Sequence, residues 1–215
     1  MKPIKPLRRG RFISLEGIEG AGKSTVAQAL SAELERRGEP VVLTREPGGT
    51  PLAEELRTLL LRRSGESISA IAESLLMFAA RAAHVDQVIR PAMLKGQWVI
   101  CDRFTDASYA YQGAGRGVRE TLLDELATAV HGDLWPTRTL LLDLPVATGL
   151  ARARLRRGEP DRFEAETVEF FERARAAYLR RAALESGRVR LIDATPEAPV
   201  VCAAALAALA DLLPP

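Results

Sequence analysis

The chain has few of the residues that metal centres and disulfide scaffolds need. There are two cysteines, Cys101 and Cys202, and two histidines in 215 residues. With no ligand-like spacing among them, they argue against a disulfide framework and a structural zinc site. Apolar runs of membrane-spanning length are missing, as is a signal-peptide core, which argues against a membrane partner. The formal net charge is only +2, too small for a general nucleic-acid binder. The basic leader over 1–10 reads as a loose, solvated terminus rather than a targeting signal. The expected setting is a reducing cytoplasm. The remaining composition, 47% apolar and 27% charged, is that of an ordinary globular protein, and the length suits one domain over 1–215.

Five short β-rich runs, 12–16, 41–44, 98–101, 139–144 and 189–193, alternate with helical patterns. The first helix is expected from Lys23, with Val26, Leu30 and Leu34 four residues apart on one face and Gly38 as its terminator. Further helices fit 51–63, 69–95, 119–130, 145–157, 167–186 and 199–213. Strands alternating with helices predict an α/β fold, a five-stranded parallel sheet with helices on both faces.

Between the first strand and the first helix lies "GIEGAGKST": Gly17, Ile18, Glu19, Gly20, Ala21, Gly22, Lys23, Ser24 and Thr25. It fits G-x-x-x-x-G-K-[ST] with the strand before and helix after that a P-loop requires. The glycines permit backbone angles that turn successive N–H groups inward around phosphate oxygens, and the helix N-terminus adds positive potential. Lys23 supplies charge to the β- and γ-phosphates, and the Ser24 hydroxyl suits Mg²⁺. The loop is therefore expected to bind a nucleoside triphosphate.

Other polar motifs follow the strands, where open parallel sheets gather ligands. "TREPGGT" follows the second, "CDRF" the third, and a helix ending in Arg152, Arg154, Arg156 and Arg157 the fourth. Asp102 occupies the second-acid position of P-loop enzymes, where it can bind the waters of a metal. Arg103 presents a planar fork of donors for an acceptor phosphate. Read alone, the pair is also compatible with a structural ion pair.

The segments "GIEGAGKST", "TREPGGTPLAEELR", "MFAARAAH", "CDRFTDASYAYQG" and "RLRRGEPDRFE" together resemble bacterial thymidylate kinases, in order and spacing, from about Phe12 to the final helix. The resemblance implies a P-loop kinase fold with an arginine-rich lid over about 152–164, transfer of the ATP γ-phosphoryl group to dTMP with Mg²⁺, and a homodimer. It also suggests roles for individual residues. Glu19 would lie near the acceptor's sugar 3′-hydroxyl and phosphate, and Glu46 would shape the site near the metal. Arg57 resembles the arginine that grips the acceptor phosphate, and Arg81 the one that hydrogen-bonds the thymine carbonyl. The family places a phenylalanine four residues before that arginine. Here Met77 has that register and Phe78 has the flat ring, so either is a candidate to stack on the base. Ser108 and Gln112 suit the thymine edge, and Tyr111 resembles the ring that crowds a 2′-hydroxyl.

The run from Arg152 to Arg162 holds five arginines in eleven residues. By itself such a run reads as a solvated helix face. Phosphoryl transfer needs charge stabilisation on the migrating group, and the variable positions of this P-loop hold no arginine. By the resemblance the lid supplies it, from Arg157 first and Arg156 second, with Arg162 anchoring the lid or contacting phosphate. Two other functions share parts of this pattern: a deoxynucleoside kinase and a non-catalytic nucleotide-binding regulator. Two acceptor arginines favour a monophosphate acceptor over the first. An intact Lys23, Ser24 and Asp102 speak against the second.

Overall fold

Strand β1 (Phe12–Glu16) is buried at all five positions. In the computed structural model, which describes residues 11–63, 67–155 and 161–213, it runs through the middle of a sheet. The other strands are β2 (Val41–Arg45), β3 (Trp98–Asp102), β4 (Arg138–Asp143) and β5 (Val189–Asp193). All pairings are parallel, in the order β2-β3-β1-β4-β5. The near-continuous apolar runs of β1, β3 and β4 follow from this placement, since strands covered on both faces have no solvent side to alternate with. The edge strands β2 and β5 are partly exposed.

Successive residues of a strand point to opposite faces. Ile13 and Leu15 join Val26, Leu30 and Leu34 of helix α1 (Lys23–Arg36) in the larger core. Phe12 instead joins Val85, Ile89, Val99 and Phe104 in a separate cluster. The remaining helices are α2 (Pro51–Leu61), α3 (Ala70–His84), α4 (Arg90–Leu94), α5 (Thr105–Ser108), α6 (Glu120–Val130), α7 (Val146–Arg154), α8 (Val168–Leu184) and α9 (Ala198–Ala207). Thr50 and Ser69 cap α2 and α3 through side-chain oxygens that accept from the N–H of Ala53 and Ala72.

Two departures from the sequence pattern matter for the site. The helix expected over 69–95 is not continuous: α3 passes through a π-helical segment, Val85–Ile89, into α4. Pro91 supplies the reason, because it lacks the N–H that a regular turn needs and its ring crowds the turn before it. The sequence pattern after β3 predicts no helix, yet α5 leads directly into a second π-helical segment, Tyr109–Gly115. Its wider turns lay Tyr111 and Gln112 along one wall of a cavity. The last helix ends at Ala207, short of the 213 expected, and continues as turns.

Candidate active site

The chain leaves β1 at Glu16 and enters α1 at Lys23 through the glycine-rich loop. Gly22 caps α1 at a φ of 86°, a conformation that costs glycine little. A Cβ on Gly20 would overlap the carbonyl oxygen of Gly149 in α7, so loop and helix meet backbone to backbone. The Lys23 ammonium donates to the carbonyl oxygens of Gly17 at 3.1 Å and Ile18 at 3.0 Å. Burial, reinforced by Arg103, lowers its pKa to about 8. Ser24 Oγ donates to Asp102 Oδ2 at 3.3 Å. Among the described residues no three His, Cys, Asp or Glu side chains cluster to hold a metal unaided. Two hard oxygen donors at the mouth of a phosphate cradle suit Mg²⁺, which takes one or two protein oxygens and completes its shell with phosphate and water.

Ala21, Gly22 and Thr25 of the loop face a cavity closed on the far side by Pro196, Val201 and Cys202. Arg152, the first of the five arginines between 152 and 162, braces its edge by donating to the carbonyl oxygens of Ala194 at 2.7 Å and Thr195 at 2.8 Å.

Arg103 is the only non-glycine residue with positive φ among the described residues, at 72°. That backbone conformation costs on the order of 1–3 kcal/mol, so the surroundings must hold it. Its N–H donates to the Leu15 carbonyl at 2.9 Å. Its guanidinium donates to Gly17 O at 3.0 Å, Tyr178 Oη at 3.2 Å, Glu19 Oε1 at 2.8 Å and Tyr111 Oη at 3.0 Å. Burial works against the charge, but Tyr111, Glu19 and Tyr178 outweigh it and push the pKa well above the ordinary arginine value. Tyr111 also donates to Glu19 Oε2 at 2.6 Å.

Beside this clamp opens a second cavity, lined by Glu19, Glu46, Arg57, Met77, Arg81, Arg103, Phe104, Ser108, Tyr111 and Gln112. Arg57, Arg103, Glu19 and Glu46 also line the open channel that runs past Lys23, Ser24 and Asp102. The two spaces therefore meet at a pair of arginines. Arg57 is oriented by a bond from NH1 to the Pro47 carbonyl at 2.9 Å. Arg81 is fixed on three sides, donating to Glu46 Oε2 at 2.6 Å, Ser108 Oγ at 3.1 Å and Phe104 O at 3.2 Å. Glu46 also pairs with His84 Nδ1 at 3.0 Å. Burial disfavours the Glu46 charge, but Arg81 and His84 more than offset this and hold its pKa below the ordinary value.

Of the two candidates for base stacking, Met77 lines the cavity. Phe78 is 2% exposed and packs with Tyr109, Val118 and Leu123 behind it. The Phe78 ring instead carries the Arg81 guanidinium, 4.5 Å from its centroid. Arg156 and Arg157 lie outside the described residues. Arg162 is bound to the Leu60 carbonyl at 2.8 Å and the Glu73 carboxylate at 2.7 Å.

Four residues absent from the sequence reading shape this site. Glu16 is fully buried and accepts from Phe104 N–H at 2.7 Å and Tyr178 Oη at 2.7 Å. Burial, with Asp106 nearby, raises its pKa to about 8. A carboxylate closing an apolar strand immediately before a P-loop was the available signal. Tyr178 and His84 carry no local signal, because their roles depend on which helix face meets the sheet. Glu73 sits within a largely apolar helical stretch, a placement that marks a buried acid needing partners.

The family model for thymidylate kinase matches residues 15–204. A thymidylate kinase of Pseudomonas savastanoi pv. phaseolicola is 56% identical over 185 residues, which is 86% of this chain and 88% of the relative. One from Pseudomonas entomophila is 57% identical over the same shares. The crystal structure of thymidylate kinase from Ehrlichia chaffeensis superposes with a TM-score of 0.77 at 31% identity, covering 93% of this chain and 98% of that one. The likeness spans the sheet, the P-loop and the cavity walls together, and the chain belongs to the thymidylate kinase family.

Proposed function

We propose that this protein transfers the γ-phosphoryl group of ATP to dTMP, giving dTDP and ADP. The observation that carries the reading is the junction of the P-loop channel and the second cavity at Arg57 and Arg103. A monophosphate acceptor needs cations where its phosphate meets the donor's, and these two side chains stand at that point. A thymidine acceptor would need a base for its sugar hydroxyl instead.

In this reading the backbone N–H groups from Gly17 to Thr25 and the Lys23 ammonium hold the donor phosphates. Ser24, and Asp102 through water, would hold Mg²⁺, which would supply positive charge to the donor phosphates. Arg103 and Arg57 hold the acceptor phosphate in line. Glu19, tied to Arg103 and Tyr111, sets the position of both and faces the sugar. Tyr111 crowds the 2′ position, so a deoxyribose is preferred. Met77 and Phe104 cover the base, and Arg81, Ser108 and Gln112 meet its polar edge. Glu46 keeps Arg81 in place. Arg157 or Arg156 closes from the lid onto the migrating group and excludes water. The cavity bounded by Pro196 and Val201 takes the adenine. The working form is a cytoplasmic homodimer.

Turnover with dTMP and with thymidine, each coupled to ADP production, tests the reading. Mg²⁺-dependent dTDP formation is expected. Phosphorylation of thymidine without dTMP turnover indicates a deoxynucleoside kinase, and nucleotide binding without turnover a regulator.

A further inference from the structure

Gln112 lines the cavity, yet its amide nitrogen is already engaged. Nε2 donates to Glu73 Oε1 at 2.8 Å. Glu73 itself is fully buried and lies behind the cavity wall. Two guanidinium groups pair with it: Arg162 at 2.7 Å and Arg116 at 3.3 Å. Arg116 is paired in turn with Glu166 at 2.7 Å. A carboxyl group whose other neighbours are two guanidinium donors presents acceptor oxygens to Gln112, which admits one of the two orientations of its amide: nitrogen toward Glu73, oxygen away from it. Gln112 Oε1 accepts no hydrogen bond from the described residues and is the polar end left to the cavity.

We propose that Glu73 is a positioning residue for pyrimidine selection: it locks the Gln112 amide so that Oε1 accepts the N3–H of a 2,4-dioxopyrimidine and opposes the N3 lone pair of cytosine. The inference rests on the dTMP reading and adds to it the means of rejecting an aminopyrimidine. Thymine carries a proton on N3, whereas cytosine carries a lone pair there and an amino group at C4. A free glutamine serves either base by rotating its amide through half a turn. A glutamine tied to a buried carboxylate does not, and two acceptors facing each other in a dry pocket leave both unsatisfied.

Glu73→Gln is the discriminating change. Its single carbonyl oxygen is claimed by Arg116 and Arg162, which turns its own amino group toward Gln112. Gln112 then rotates, presenting Nε2 to the cavity. The measurement is kcat/KM for dTMP and for dCMP with ATP on the full chain. The expected result is a dTMP-to-dCMP ratio at least about tenfold lower than in the wild type, with KM moving more than kcat. Glu73→Asp remains acceptor-only, so it keeps a ratio close to wild type even if both rates fall. A wild-type ratio in Glu73→Gln overturns the proposal, since loss of structure alone lowers both substrates in proportion. If thermal melting shows Glu73→Gln to be unfolded, Glu73→Ala carries the test: with the acceptor gone the Gln112 amide is free to turn and the same ratio must fall, and an unchanged ratio overturns the proposal. A wild-type chain that turns over neither nucleotide overturns the dTMP reading itself, an outcome separate from unchanged selectivity in an active enzyme.

Discussion

Glu19 Oε1 lies 2.8 Å from Arg103 NH2, so the P-loop's own carboxylate occupies the guanidinium that faces the second cavity. Tyr111, Tyr178 and the Gly17 carbonyl take the other donors of NH1 and NH2, which leaves Nε without a protein partner among the described residues. In the proposed reading, an incoming acceptor phosphate competes with Glu19 for a guanidinium already aimed and charged.

Arg103→Ala is expected to weaken dTMP binding and lower turnover together. A charge-assisted pair of hydrogen bonds to phosphate is worth about 1.5–3 kcal/mol per bond, so the loss in kcat/KM is on the order of 10²-fold or more. Isothermal titration with dTMP and steady-state kinetics on the variant check this. Wild-type dTMP affinity in the variant removes Arg103 from acceptor binding.

Lys23→Ala is expected to collapse turnover, by about 10²–10³-fold, with the fold intact. The native enzyme also carries a pH signature. Burial and Arg103 hold the Lys23 pKa near 8, so the free enzyme loses this cation as pH rises through that value. The kcat/KM for ATP should fall about tenfold per pH unit above it, while kcat persists to higher pH because bound phosphates restore the proton. A kcat/KM that stays flat to about pH 9.5 shows that the Lys23 ammonium of the free enzyme does not lose its proton near 8.

The lid variants should separate chemistry from binding. Arg157→Ala, or Arg156→Ala, is expected to slow the chemical step by about 10²–10³-fold and to leave dTMP affinity nearly unchanged, since Arg57 and Arg103 hold that phosphate. Arg152→Ala should instead weaken ATP binding, because its guanidinium braces Ala194 and Thr195. Single-turnover kinetics distinguish the two. Unchanged single-turnover rates in both lid variants remove Arg156 and Arg157 from the chemical step.

His131 is 3% exposed, shares a hydrogen bond with Thr105 Oγ1 at 2.9 Å and packs against Phe104 and Trp135. Burial lowers its pKa from 6.5 to about 4. Above pH 6.5 neither state binds the proton and this contribution to stability is complete. As pH falls toward 4 the unfolded chain takes a proton that the folded chain refuses, which removes about 3 kcal/mol. Urea melts of wild type and His131→Asn should differ by a constant amount above pH 6.5, and the difference should shrink below it. A pH-independent difference shows that His131 does not titrate this way.

The protein should sediment as a dimer, at twice its 23.4 kDa chain mass. Helices α2 and α3 pack together and expose Leu52, Leu59, Ile71 and Leu75, apolar side chains that a second copy would cover. A purely monomeric boundary at micromolar concentration argues against it.

The sheet and the phosphate loop were legible in the chain alone because both are local. A strand buried on two faces is mostly apolar, as Phe12, Ile13 and Leu15 are, and its polar members Ser14 and Glu16 are each hydrogen-bonded. A P-loop must place Gly, Lys and Ser at set spacings, as Gly17 to Ser24 do. Helix existence followed from periodicity too. The break at Val85–Ile89 and the π turn at Tyr109–Gly115 did not, since a pattern records which face is apolar and not how wide a turn is. Side-chain partners were the part beyond reach. Tyr178 meets Arg103 across 75 positions and Gln112 meets Glu73 across 39, and both contacts depend on how helices rotate against the sheet. The choice between Met77 and Phe78 has the same character. One residue of difference on α3 is about 100° of rotation, enough to put Met77 on the cavity wall and Phe78 in the core behind it. The sequence determined the residue types available for the chemistry. Packing decided which of them face one another, because burial fixes helix rotation only when the whole core closes.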